Sequence, residues 1–181
     1  MTGYGDVDTA SVVASTFAPT GLSTPHTEST TDFATEFATE GFWGDVVLRD
    51  AVPQAGDTFI IVDKAYGRAI TVIEGRPKLE TSANRAGSWR WLCTEKDGFL
   101  GFRNTVSGRY LGHNIWWNMV VDGWSHKAWE HFHARRQEGG GYTLLAPDWF
   151  TMRQISIGEG NTLVAGSEGG TVWEFIKVLD D

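Results

Sequence analysis

From residue 58 onward, apolar residues come in short runs set apart by Gly, Asn and Asp. No window there keeps the i, i+3, i+4 rhythm of an amphipathic helix. Short runs bounded by turn formers predict strands instead. Three aromatic-centred strands stand out: Trp89 to Cys93, Glu130 to His133 and Trp173 to Lys177. Anchoring them on Trp91, Phe132 and Phe175 gives two fixed offsets, 41 and 43 residues. Under those offsets residues 78–81 fall on 119–122 and 162–165, and Gly67 to Ile70 falls on Gly108 to Leu111 and then on Thr151 to Gln154. Residues 59–62 fall near 100–103 and 143–146. Four strand-like segments thus recur three times. A single such unit cannot bury its own apolar face, but three can close on one another.

Three four-strand units of this length fit an all-β fold, a single β-trefoil over residues 58–179 with repeats near 58–98, 99–141 and 142–179. Closing a six-stranded barrel capped by three hairpins removes most free strand edges. At this level the sequence resembles the fascin-like and ricin-like β-trefoil superfamily. The segments Gly101-Phe102-Arg103, Ser107 to His113, Trp129 to Phe132 and Thr171 to Ile176 also resemble a group of small fungal proteins. The resemblance covers the last two-thirds of the chain and implies fold more than function. It departs from the ricin-type pattern at one place. The Gln-x-Trp of that pattern is replaced by Trp89-Arg-Trp91, Glu130-His-Phe132 and Trp173-Glu-Phe175, so three-site glycan binding by that scheme is not carried over.

The first third reads differently. Residues 1–40 hold 14 Ser or Thr, two Pro and a tandem Phe-Ala-Thr-Glu at 33–36 and 37–40. Residues 1–41 are expected to form a weakly ordered acidic extension. Residues 42–57, with Phe42-Trp43 and Val46-Val47-Leu48, form a connecting segment able to dock on the barrel. The net charge is −8, and all of it lies in residues 1–57, with nine acids against Arg49 alone; residues 58–181 balance at 14 and 14. The acidic balance argues against nucleic-acid binding, since phosphate attraction needs a basic surface. No secretory signal or membrane-length apolar run is present, so a cytoplasmic protein without membrane contact is expected. Cys93 is the sole cysteine; no intrachain disulfide is possible, and a buried, inert thiol is expected.

Candidate chemistry concentrates in the second repeat. Four of the five His (His113, His126, His131, His133) and four of the nine Trp (Trp116, Trp117, Trp124, Trp129) lie between 113 and 133. A threefold core needs the same apolar positions in each copy, so the surplus is a candidate ligand site. Phe132, aligned with Trp91, turns inward; His131 and His133 then face outward, unless Trp129 aligns with Trp89 and a bulge reverses the faces. Trp and His offer flat faces and N–H donors to a glycan, small molecule or protein loop. A second class is a cofactor-free cyclase or isomerase, such as a Diels–Alderase of fungal secondary metabolism. There Trp walls would fold an apolar substrate, and His126, His131, His133 or Asp122 would move the proton. A protease-inhibitor loop is a third. His131-x-His133 is a permissible two-ligand spacing, but no carboxylate or thiol supports it, and neither metal nor cofactor is expected. An enclosed cavity with a His wall would favour the enzyme. A shallow aromatic groove would favour binding.

Overall fold

A computed structural model describes residues 38–40, 46–81 and 88–179. They hold fourteen strands, two 3-10 turns and no α-helix. The first repeat contains β3 (Thr58–Asp63), β4 (Ala69–Ile73), β5 (Arg76–Glu80) and β6 (Arg90–Lys96). The second contains β7 (Phe99–Asn104), β8 (Tyr110–His113), β9 (Met119–Gly123) and β10 (His133–Arg136), and the third β11 (Tyr142–Asp148), β12 (Thr151–Ile157), β13 (Leu163–Gly166) and β14 (Val172–Val178). Antiparallel pairing runs β3–β6–β7, crosses to β10 through a Leu100–Phe132 bridge, and continues β11–β14–β3. That circuit is the closed six-stranded barrel of a β-trefoil. The pairs β4–β5, β8–β9 and β12–β13 are its three cap hairpins.

Strand register fixes which residues are equivalent. Phe59 faces Trp91, Leu100 faces Phe132 and Tyr142 faces Trp173. Trp173, not Phe175, is therefore the third-repeat counterpart of Trp91, and the strand-four spacing is 41 residues twice. The indoles agree: Trp91 Nε1 donates to Ile70 O at 2.8 Å and Trp173 Nε1 to Ile155 O at 3.1 Å. Phe175 falls in the next layer, level with Cys93 and Ala134. There one large ring occupies the centre that two small residues leave open, 5.5–5.7 Å from the rings of Phe59, Phe102 and Tyr142. Interiors pack to crystal density, so three large residues at that level would overfill it. Cys93 is buried in the same layer, and burial, with Asp57 and Glu95 adding, pushes its thiol up to about 12.

β3 is buried on both faces. Phe59 and Ile61 enter the barrel, while Ile60 and Val62 join Val47, Ala69, Ile176 and Val178 in an outer cluster. The cover comes from β2 (Val46–Leu48), which pairs with β14 where β11 has ended; β1 (Ala38–Glu40) pairs with β2. Ala51 N continues the ladder to Phe175 O at 2.8 Å. Ion pairs hold this strap. Arg49 forks onto Glu174 at 2.9 and 2.7 Å, Arg136 onto Asp50, and Lys177 onto Asp57 at 2.9 Å. Asp50 and Asp57 of the charged first third thus meet bases of the neutral body, and its one base, Arg49, meets an acid of that body. The tandem repeat at 33–40 falls mostly outside the described residues.

The third repeat breaks symmetry at its first turn. Asp63 and Asn104 are fully buried and organise five-residue turns. Asp63 accepts from Tyr66 N, Arg68 N and Arg68 Nε, and Asn104 Oδ1 accepts from Val106 N and Ser107 N. The matching residue is Ala146. The strand runs on to Asp148 and turns at Trp149-Phe150, so β11 and β12 form a longer hairpin that projects both rings into solvent, at 94% and 99% exposure.

Candidate functional site

The turn from β8 to β9 is set by Asn114, whose Oδ1 accepts from Trp116 N at 2.9 Å and Asn118 N at 3.1 Å. This turn leaves Ile115 and Trp116 exposed and brings Trp117 back toward the barrel in left-handed backbone, φ 63°. A bulky residue pays about 1–2 kcal/mol for that conformation. The compensation is a stack. Its indole lies 4.1 Å from the His113 ring at 19°, and the Arg153 guanidinium carbon sits 4.3 Å from its centroid. His113 Nδ1 lies 3.0 Å from Asn114 O. A carbonyl only accepts, so Nδ1 carries the proton and Nε2 of the neutral ring is an acceptor.

The 3-10 turn Ala128–Glu130 turns Trp129 outward and Glu130 inward. The Trp129 ring is 5.9 Å from His113 and half exposed, at 51%. Glu130 packs against Gly112 and Gly123; a Cβ at Gly123 would fall 2.7 Å from its Oε1, and one at Gly112 would fall 2.9 Å from Trp129 O. Its Oε2 accepts from Lys127 N at 3.0 Å, and burial pushes the carboxyl above its ordinary value.

Across from this turn stands the long third-repeat hairpin. Pro147, Asp148 and Trp149 form one side of an open cleft of about 560 Å³; Asn114, Ile115, Trp117, His113, Ala128, Trp129, Phe99 and His131 form the rest. The cleft lies between repeats two and three. Its lining is aromatic with a few polar groups, the composition of small-molecule sites.

Behind the wall, His131 stacks on Phe99 at 4.5 Å and 9°, and His133 meets the same ring at 4.8 Å. His126 stands edge-on to His131 at 5.0 Å, stacks on Tyr110, and lies against Gly101, where a Cβ would come within 2.7 Å of the imidazole. Its Nδ1 is 3.4 Å from Thr94 Oγ1. Burial lowers the pKa of both His126 and His131. At His126 the charge of His131 adds to this, and the Leu100 carbonyl opposes it without reaching hydrogen-bond geometry. Nε2 of each ring is buried without a hydrogen-bond partner among the described residues.

The single cluster of the sequence therefore separates. His113, Trp117, Trp129 and His131 line the cleft. His126 and His133 back it through His131 and Phe99. Trp116 is exposed on the neighbouring turn, and Trp124 lies under the Arg109 guanidinium at 3.2 Å; neither lines the cleft. Asp122 lines a different depression, beside Arg76 and Lys78. No three His, Cys, Asp or Glu side chains among the described residues could hold a metal. Sequence reasoning missed Trp149, Phe99 and Asp148. One signal was present: Thr151 falls where the other repeats have Gly67 and Gly108, which marks a different turn.

No family model matches the chain, and no curated protein is similar to it. Solved structures share its fold at 15% identity. A Macrolepiota procera ricin B-like lectin in complex with lactose matches 71% of this chain and all of its own, TM-score 0.56. The designed threefold-symmetric protein ThreeFoil matches 67% of this chain and 99% of its own, TM-score 0.53. A Clostridium perfringens GlcNAcα1-4Gal-releasing endo-β-galactosidase matches 68% of this chain, TM-score 0.56; the match spans only 33% of that enzyme.

Proposed function

We propose that this β-trefoil is a carbohydrate-binding protein and that the cleft between its second and third repeats is the site. One observation carries the reading: the His113–Trp117 stack, Trp129 and Trp149 converge on one open cleft from three separate segments. Exposed Trp costs solvation and contributes nothing to the core. Flat aromatic faces pack against the C–H faces of sugar rings, while His113 Nε2 and the Asn114 amide can meet hydroxyls. The lectin and glycosidase among the structural neighbours add weight to glycans over other ligands.

The cyclase reading draws less support. The cleft is open, the Nε2 of His131 is buried, His126 and His133 stand behind the wall, and Asp122 lies elsewhere, so the four proton carriers of that reading do not converge on one substrate position. The test is an array of immobilised glycans, probed with the full chain and with Trp129→Ala. Retention of a glycan by the full chain and its loss in the variant is expected. Equal retention by both would place binding outside the cleft, and retention of none would overturn the reading.

A further inference from the structure

We infer that the cleft takes a stretch of neutral oligosaccharide more than one ring long, rather than a single terminal sugar. This rests on the carbohydrate reading above and goes beyond it in two respects, length and charge.

Length follows from volume and from where the flat surfaces come from. A volume of about 560 Å³ lies in the range of roughly 300–1,000 Å³ that accommodates drug-sized ligands. A single pyranose is small for it. The stacking surfaces also belong to different elements. Trp129 rides on the 3-10 turn of the second repeat, and Trp149 on the tip of the third-repeat hairpin. The His113–Trp117 stack belongs to the β8–β9 turn. Surfaces carried by two repeats and three segments offer successive rings of a chain separate places to stack. The hairpin carrying Trp149 differs from its two counterparts by the very extension that brings that ring to the cleft. In repeats one and two the matching turns close early on Asp63 and Asn104.

Charge follows from the lining. No Lys or Arg among the described residues lines the cleft. Its one carboxylate, Asp148, is engaged by Arg153 Nε at 2.8 Å, and His131 is held toward the neutral form. The one cation at its edge, Arg153, is engaged by Asp148 and by the face of Trp117, so a sialylated or sulfated chain would find no unpaired cation and would meet Asp148. A proline-rich peptide also docks on aromatic grooves, but the cleft pairs its rings with Asn114 and His113, groups suited to hydroxyls.

The experiment uses the full chain and an array carrying neutral, sialylated and sulfated glycans and proline-rich peptides. The best neutral glycan is then shortened one ring at a time and titrated calorimetrically. Each ring removed is expected to weaken binding by roughly 3- to 10-fold, the worth of one aromatic stack. Trp149→Ala should weaken the longest glycan by a similar factor and leave the shortest unaffected. Trp124→Ala, outside the cleft, should change neither. Full affinity for the free monosaccharide would overturn the length claim, and preference for acidic glycans the charge claim; both leave the carbohydrate reading standing. Retention of the peptides alone would overturn that reading as well.

Discussion

Two regions of this barrel treat the same kinds of side chain in opposite ways. Along the seam where β14 meets β3, apolar residues are buried on both strand faces, and acids are matched to bases. Val47 seals the outer cluster, Glu174 takes the Arg49 fork, and Asp50 takes Arg136. At the cleft between repeats two and three, the rings of Trp129 and Trp149 stand in solvent, Trp149 on left-handed backbone. Burial of this kind makes stability, whereas exposed rings on strained turns subtract from it unless something binds. The difference separates what the scaffold needs from what it presents.

The largest expected effect lies on the seam. Phe175 is the central ring of its layer, and no neighbour can fill its place. Phe175→Ala should cost about 3–5 kcal/mol, read as a drop in urea midpoint with little change in slope. A loss under about 1 kcal/mol would mean that the layer collapses onto Cys93 and Ala134, and that the hub assignment is wrong.

Asp63 is next. Asp63→Ala strands two backbone N–H groups and the Arg68 guanidinium. About 2–4 kcal/mol of destabilisation is expected in denaturant unfolding. Asn104→Ala, which removes a neutral acceptor, should cost less. The third repeat carries Ala146 at the matching place without penalty because its hairpin closes elsewhere. If both variants unfold like the parent, these turns are not what buried polar residues hold.

These positions also show how much was legible in the sequence. The threefold plan could be read because strand, turn and spacing are local and repeat. The strand-four anchor slipped by two residues. In Trp173-Glu-Phe175 two aromatics face the same side of one strand, and only pairing with Tyr142 says which one matches Trp91. The His and Trp surplus pointed to the second repeat, and four of those side chains line the cleft; the partition into cleft, backing and unrelated surface was not legible. Trp149 was invisible because its relevance is non-local: a lengthened hairpin of one repeat reaches the turns of another. The strap at 46–51 was suggested by its apolar triplet, while its ion pairs were not.

The cleft wall should sharpen the comparison through pH. His126 and His131 have folded pKa values below their ordinary 6.5, chiefly from burial. Lys96, Asp97, Tyr110 and His133 also face them. Below about pH 6.5 the unfolded chain then binds more protons than the folded one, so stability falls as pH drops from there toward the folded values. Glu130 has the opposite sign. Its pKa is raised, so its contribution is full below about 4.5 and is lost as pH rises through the folded value. His131→Phe keeps a flat ring on Phe99 and should flatten the fall below about pH 6.5, by less than about 1.4 kcal/mol per pH unit. Glu130→Gln should change the slope from about pH 4.5 upward. An unchanged profile in His131→Phe would mean that its ring is solvated, and that the wall is not closed behind the cleft.

The smallest effect on stability is expected at Trp149, and that smallness is itself the argument. Its ring is almost wholly exposed, and its backbone sits at φ 48° on the hairpin tip. Trp149→Ala removes no buried surface, so thermal or urea unfolding should move by no more than about 0.5 kcal/mol. Trp173, of identical chemistry, is fully buried with its indole N–H bonded to Ile155 O; Trp173→Ala should cost about 3–5 kcal/mol in the same assay. The two Trp on one repeat thus sort into scaffold and presentation by stability alone, before any ligand is added. A loss above about 1 kcal/mol at Trp149 would show that the indole packs on the chain itself. The projecting hairpin would then belong with the seam rather than with the cleft.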